Sequence, residues 1–493
     1  MSPQDSMFTA VEDERNPMHI GSVSVFKGPA PTYGDLVRTV ASHLPKLPRY
    51  RQRVRTVPLG LGRPVWVDDP HFQILYHVRH TATPSPGSAE ELRNLAGRVF
   101  AQNLDRAKPP WELWMVEGLE GGRWALISKV HHSMVDGVSA TDLLTVLLDR
   151  EPQARPRPAP KWHAAPEPSG LHLLADAAAD AIASPLKTIR GTPPVARALF
   201  ASGLGMHNVT DVRNLIRSLG TWTQPVASSL NGPIGPHRRW SWASASLEQV
   251  KEIRTALGGT VNDVVLCAIT KGFRDLLRHR GEEVSGKVVR ALVPVSVRNE
   301  SERGIYNNRV SGLFPGLPVG LGSAVGRLNA IRAQMDAFKG SGQAVAADVL
   351  IQMTGFAPPM LLALSLRLAV HSQQHLVQTV TTNVPGPQFP LYAVGRKMLY
   401  AYPYVPIAGS VRIGIAVFSY LGGINFGVTG DYDSVPDIEV FTRGIESGIA
   451  ELLGFARRRR RAVQLRSPRD TDVGRNGESQ PATRGRPRPH AVL

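Results

Sequence analysis

Residues 124–148 read WALISKVHHSMVDGVSATDLLTVLL, and the architecture follows from how this stretch divides. Its first seven residues, WALISKV, form a short apolar run that predicts a buried strand. Its last eleven, VSATDLLTVLL, place apolar residues at helical spacing. Between them lies HHSMVDG, His131–Gly137, at a strand-to-helix junction. Two adjacent histidines at such a junction point in different directions, so one can face a cleft while the other packs inward. Imidazole titrates near 6.5 in water, which suits it to take and return a proton at neutral pH. Asp136 would fix the local backbone or pair with an arginine. Gly137 admits tight packing or an unusual dihedral.

Three readings of the pair compete. Both histidines can be structural. His132 and Asp136, four apart, could share a metal on a helix, but no third ligand stands at a convincing spacing. The third reading is a single imidazole acting as general base directly on a bound nucleophile. No G-x-S-x-G elbow is present to supply a nucleophilic serine, and the lone cysteine, Cys267, excludes a disulfide framework or a thiolate cluster within one chain.

The rest of the chain mixes both kinds of element. VWVDDP, ILYHVRH, RRWSWASAS, VVRALVPVSVR, VQTVTTNV, RIGIAVFSYL and GINFGVTGDY read as strands. AEELRNLAGRVFAQNL, LHLLADAAADAIA, NVTDVRNLIRSL, LEQVKEIRTAL and the run from Asn262 toward Leu277 read as helices. The class is therefore α/β or α+β, with two comparable mixed sheets flanked by helices. Six prolines between Pro152 and Pro168 mark a linker. The expected organisation is an N-terminal domain at 1–150, a linker with connecting helices at 151–237, a second domain at 238–456 and an Arg-rich tail at 457–493.

With 493 residues and 42% apolar side chains, the chain can bury sizeable cores. Its net charge of +17 is uneven: residues 457–493 hold eleven arginines against three acids. That tail has no aromatic residue and too little apolar surface to offset the entropy of ordering, so disorder is expected there. The run Arg457–Arg461 suits an anionic membrane surface. A tail without stacking residues and a body without a reading motif argue against nucleic acid. The polar opening, MSPQDSMFTAVEDERNP, carries no leader-like apolar core, and no uncharged apolar run is long enough to span a bilayer. The apolar stretch Met360–Val370, broken by Arg367, is expected to be a core helix, or else a helix that lines an acyl pocket or lies against lipid.

HHSMVDG resembles the His-His-x-x-x-Asp-Gly signature of the acyl-CoA-dependent acyltransferases, which include chloramphenicol acetyltransferase and peptide-synthetase condensation domains. The surrounding segments narrow the resemblance to the bacterial wax ester synthase/diacylglycerol acyltransferase family. They are SPQDSMF (Ser2–Phe8), PMHIG (Pro17–Gly21), LPRYRQR (Leu47–Arg53), LDRAKPPWE (Leu104–Glu112), VNDVVL (Val261–Leu266), VPVSVR (Val293–Arg298), NNRVS (Asn307–Ser311) and TNVPGP (Thr382–Pro387). In one departure, Trp111 directly follows Pro109 and Pro110 where the family usually has Pro-Leu-Trp.

The resemblance implies two chloramphenicol acetyltransferase-like domains with an active-site channel between them. It implies that His132 is the general base, that His131 is structural, and that Asp136 is an architectural ion-pair partner, here for Arg298. Gly137 completes the motif. Asn262, Asp263, Pro110 and Trp111 would shape substrate binding, although helix capping is an equally good account of Asn262 and Asp263. The implied substrates are a long-chain acyl-CoA and a diacylglycerol or long-chain alcohol, with no metal and no cofactor beyond acyl-CoA as substrate. The implied location is cytoplasmic, peripheral to the inner face of the membrane or to lipid inclusions. The alternatives are transfer to another alcohol or an amine, and a non-catalytic lipid-binding protein with an idle motif.

Overall fold

A computed structural model of the chain describes residues 1–134, 148–153, 162–179, 229–296, 310–340 and 377–466. The N-terminal half runs α1 (Pro3–Val11), β1 (His19–Phe26), α2 (Tyr33–His43), β2 (Gln52–Arg55), β3 (Val65–Asp68), α3 (Ile74–His77), β4 (Val78–Ala82), α4 (Ala89–Ala101), β5 (Trp111–Leu119) and β6 (Arg123–His131). WALISKV is the heart of β6. Side chains on both of its faces are buried, which explains a near-continuous apolar run rather than a clean alternation. ILYHVRH splits at its middle, into the single helical turn α3 and then β4. Its apolar positions fit either period, and a run so short does not separate them.

The C-terminal half runs β7 (Arg238–Ser246), α5 (Leu247–Leu257), α6 (Val261–His279), β8 (Val289–Ser296), β9 (Val310–Leu313), β10 (Gly316–Leu317), α7 (Ala324–Gly340), β11 (Thr379–Val384), β12 (Tyr392–Ala393), β13 (Arg396–Tyr404), β14 (Ile413–Tyr420), β15 (Gly423–Asp431) and α8 (Ile438–Arg466). Residues 170–179 are also helical. NVTDVRNLIRSL, most of VSATDLLTVLL, Met360–Val370 and residues 467–493 lie outside the described residues.

Two mixed sheets result. One has the order β12-β13-β1-β6-β5-β4, the other β10-β8-β11-β14-β15-β7 with β9 added to β8. The second sheet packs against α6 and α8, around Val265, Phe273, Phe426, Phe441 and Ile445, all essentially without solvent exposure. The first has buried clusters built on Trp111, Trp124 and Met115 and on Phe100, Val99 and Ile127.

The halves are not separate along the chain. β13 comes from the C-terminal half yet pairs antiparallel with β1, with Val23 opposite Tyr402. The expected second domain at 238–456 thus lends β12 and β13 to the first sheet. Met398, Ala401, Tyr402 and Tyr404 bury their side chains in the first half's clusters, and only a strand crossing over can deliver them there. β13 also packs against β15 of the second sheet. A Cβ on Gly427 would lie 1.6 Å from the Pro403 carbonyl oxygen, so only glycine fits.

The tail boundary is corrected. α8 continues through Arg457–Arg461 to Arg466. Leu452, Leu453 and Ala456 anchor it in the core, and arginine is a good helix former once a helix is nucleated. No helix among the described residues is long and apolar enough to cross a membrane.

Candidate functional site

β6 ends at His131, and His132–Met134 make one 3-10 turn. Two backbone bonds hold the junction: the His131 N–H donates to the Pro110 carbonyl at 2.9 Å, and the His132 N–H donates to the Met18 carbonyl at 2.8 Å. The turn rotates the two side chains apart. His131 is 3% exposed, whereas His132 keeps some access. The His132 ring stacks on Phe8 of α1, centroids 3.8 Å apart and planes 18° apart. Desolvation, helped by the neighbouring His131, pushes its pKa down to about 4. His132 is therefore a neutral imidazole throughout the neutral range.

His131 is hydrogen-bonded through Nδ1 and faces a carboxylate with Nε2. Nδ1 accepts from the Ser133 N–H at 3.2 Å and lies 2.6 Å from the Ser133 hydroxyl. An Nδ1 that accepts leaves the proton of the neutral ring on Nε2, which faces Glu12 Oε2 at 3.5 Å. Glu12 is itself 5% exposed. Its Oε1 accepts from the Met18 N–H at 3.2 Å, and its Oε2 accepts from Arg106 Nε at 3.0 Å and lies 2.8 Å from Nη2. Burial alone would raise the carboxyl pKa, but His131, Arg106 and the Met18 N–H outweigh it and hold Glu12 below the usual carboxylate range.

More buried charge lies beneath. His19 sits opposite His131 in the β1–β6 register, and Nε2 of its fully buried ring lies 2.9 Å from the Phe100 carbonyl. Burial first, and the Lys129 charge next, hold its pKa well below 6.5. Lys129, also fully buried, donates to the carbonyls of Val99 (3.1 Å) and Gln102 (2.6 Å) and lies 3.6 Å from Glu112. Desolvation pulls its pKa to about 8 against the opposing pull of Glu112.

The remaining site residues fall into two groups. Pro110 supports the backbone of His131, as described. Trp111 is 2% exposed, donates its indole N–H to the Tyr50 carbonyl at 2.8 Å and stacks on His77 at 4.6 Å. It is a core residue that fixes the start of β5. On the other half, Thr260, not Asn262, caps α6. The Thr260 N–H donates to Asp263 Oδ2 (2.7 Å) and the Asp263 N–H to Thr260 Oγ1 (3.2 Å), a reciprocal capping box. The capping account of Asn262 is corrected. Its Oδ1 accepts instead from Asn383 Nδ2 at 3.1 Å, which joins VNDVVL to TNVPGP. Asp136, Gly137 and Arg298 lie outside the described residues.

Two cavities flank the Glu12–Arg106 pair. One, about 420 Å³, lies between α1 and the β2–β3 hairpin, with Ala10, Val54, Val57, Pro64, Pro110 and His131 in its wall. The other, about 740 Å³, opens between residues 12–16 and residues 232–234 and 409–410 of the C-terminal half. Among the described residues, no group of three or more His, Cys, Asp or Glu is placed to hold a metal ion.

Glu12, Phe8, Arg106 and Asn383 carry this geometry, and sequence reasoning assigned none of them a role. Phe8, Arg106 and Asn383 stand inside segments that carried the family resemblance. Glu12, one of four acidic residues between Asp5 and Glu14, had no such signal.

The family comparisons agree with this arrangement. Residues 1–265 match the "Wax ester synthase/diacylglycerol acyltransferase catalytic domain", and residues 306–453 match the "WS/DGAT C-terminal domain". The Mycobacterium tuberculosis (strain ATCC 25618 / H37Rv) protein named "Probable diacyglycerol O-acyltransferase tgs1" is 34% identical over 464 residues, 92% of this chain and 96% of the relative. A solved wax ester synthase/diacylglycerol acyltransferase from Marinobacter aquaeolei VT8 superposes with a TM-score of 0.65 at 26% identity, over 92% of this chain and 98% of that one. The trichothecene 15-O-acetyltransferase of Fusarium sporotrichioides shares the fold alone, with a TM-score of 0.58 at 12% identity over 91% of this chain and 93% of the other. The architecture is thus the two-domain, mixed α/β fold of chloramphenicol acetyltransferase-like enzymes. On the strength of both matched domains and relatives aligned over nearly the whole chain, this protein is a member of the wax ester synthase/diacylglycerol acyltransferase family.

Proposed function

We propose that this protein moves a long-chain fatty acyl group from CoA to the hydroxyl of a diacylglycerol, making triacylglycerol, and to a long-chain alcohol, making a wax ester. The carrying observation is the His132 imidazole: backbone-anchored through Met18, braced flat on Phe8 and neutral at physiological pH. The family membership and the names of the relatives support the substrate class.

In this reading the neutral ring accepts the acceptor's hydroxyl proton as its oxygen attacks the thioester carbonyl. The protonated ring then returns that proton to the departing CoA sulfur, so no covalent acyl-enzyme forms. A ring with a pKa near 4 is a weak base but a strong conjugate acid. Proton transfer therefore runs together with C–O bond formation, when the hydroxyl has become acidic, and the return step is downhill. General acid–base help of this kind supplies roughly 10²–10⁴-fold, and holding both substrates in one complex supplies much of the remainder. A sixteen-carbon tail offers at most about 12 kcal/mol of burial, at ~0.8 kcal/mol per methylene, so apolar walls dominate affinity.

Acyl-CoA is a substrate in this scheme, and no cofactor takes part. The exposed arginines at the end of α8 support peripheral attachment to the inner face of the cytoplasmic membrane or to lipid inclusions. The test is direct: incubate the purified protein with palmitoyl-CoA and dioleoylglycerol and follow free thiol. The wild type should release CoA and His132→Ala should not, with its circular dichroism unchanged. Full turnover by His132→Ala would overturn the mechanism. A panel of diacylglycerols, alcohols and amines then ranks the acceptors.

A further inference from the structure

Glu12 breaks a local rule. It is a buried carboxylate at the C-terminal end of α1, where the helix dipole disfavours an anion. Burying that charge is costly unless it is paired and hydrogen-bonded. A residue held against such preferences usually serves the site, and the bonds around Glu12 show how it can.

Both anchors of the His132 peptide lead back to this carboxylate. The His132 N–H donates to the Met18 carbonyl (2.8 Å), and the Met18 N–H donates to Glu12 Oε1 (3.2 Å). The next amide, Ser133 N–H, donates to His131 Nδ1 (3.2 Å), and the other edge of that ring faces Glu12 Oε2 (3.5 Å). Four residues before Glu12, Phe8 stacks on the His132 ring. Arg106 locks the carboxylate from outside and also donates to the Glu12 carbonyl at 2.9 Å.

We propose that Glu12 is a positioning residue for acyl transfer: it orients His131 directly and aims His132 through Met18 and Ser133. Glu12 need not touch substrate. The charged and titratable groups that face this cluster are Arg106 from the loop after α4, Lys129 from β6, His19 from β1, and the two motif histidines.

This inference rests on the acyl-transfer reading above, and the experiment separates the two. Wild type and His132→Ala are assayed first for CoA release. If His132→Ala keeps full turnover, the reading fails, and the inference with it. With that control passed, Glu12→Gln tests the inference alone. Glutamine keeps the acceptor for Met18 and the side-chain volume but removes the charge. The expected result is kcat lower by roughly ten- to a hundredfold with KM for both substrates within about threefold. Glu12→Asp keeps the charge but loses reach, so kcat should fall severalfold. A merely structural role would change thermal stability and the folded fraction, and would leave kcat per folded site at the wild-type value. Wild-type kinetics in Glu12→Gln would overturn the proposal. Should that variant fail to fold, wild-type kcat in Glu12→Asp would overturn it equally.

Discussion

Phe8 lies face to face with His132, ring centroids 3.8 Å apart and planes 18° apart. One π-face of the base is thereby covered by an apolar ring. The same cover contributes to the desolvation that sets the ring's pKa near 4. Because the neutral ring is the active form, kcat/KM should stay level from neutral pH down to about 5 and fall only as pH approaches 4. In Phe8→Ala water reaches the ring, and the acid limb should move up toward 6.5, the ordinary value for histidine. A pH–rate profile of both proteins checks this. A limb unmoved by the substitution would show that Phe8 is not the cover that matters.

Acid stability follows from the same chemistry. His19, His77 and His132 all have pKa values lowered chiefly by burial. Unfolded, each binds a proton near 6.5. Folded, each resists it until lower pH. Between those points the unfolded chain holds more protons, so stability falls as pH drops below about 6.5. Melting temperatures measured from pH 7.5 to pH 5 should decline steadily across that window, before the carboxylates begin to titrate. A flat profile down to pH 5 would contradict the burial of these rings.

The start of α6 gives a sharper separation of stability from activity. Thr260 and Asp263 satisfy each other's amides, and Asp263 is 2% exposed. Removing the Thr260 hydroxyl with Thr260→Ala should cost about 1 kcal/mol. Asp263→Ala should cost more, because the Thr260 amide then loses its acceptor. Calorimetry should register both losses, while kcat per folded molecule stays at the wild-type value. A fall in kcat with no loss of stability would return Asp263 to the catalytic machinery.

Asn262 faces the other way, toward Asn383 on β11. This pair ties the beginning of α6 to the end of β11. Asn262→Ala and Asn383→Ala should each cost about 1 kcal/mol, and the double variant little more than either, since both remove one bond. Chemical denaturation of the four proteins closes the cycle. Simple additivity would mean that the bond contributes nothing.

What the sequence made legible follows physical range. β6 and α6 were readable because their periodicity is local and long. ILYHVRH was not divided correctly, because a four-residue helical turn against a five-residue strand carries too little periodicity. The place of β13 in the first sheet was hidden, because its pairing with β1 joins residues nearly 400 positions apart and leaves no local trace. Arg457–Arg461 resembled a solvated tail by composition, yet they ride on a helix nucleated by the core residues before them. The histidine pair was visible by its chemistry. Glu12 was not, since an acid near other acids looks like surface until the fold buries it.

That helix leads to the last prediction. Along α8, Ile445, Ile449, Leu452 and Ala456 face the core, and the arginines that follow are exposed. Arg457 is engaged with Glu252 at 3.4 Å, and Arg458 lies over the ring of Phe455 at 4.5 Å. Arg459, Arg460 and Arg461 lie exposed on this helix rather than on a loose chain. Near an anionic bilayer each is worth roughly 1 kcal/mol, screened by salt. Replacing the three with glutamine should therefore weaken partition into phosphatidylglycerol vesicles by about a hundredfold at low salt. The effect should shrink as salt is raised, and turnover on detergent-dispersed substrate should be unaffected. Co-sedimentation and the thiol assay on the same preparation read both quantities. If vesicle binding is unchanged while the helix remains intact, the attachment surface lies elsewhere on the molecule.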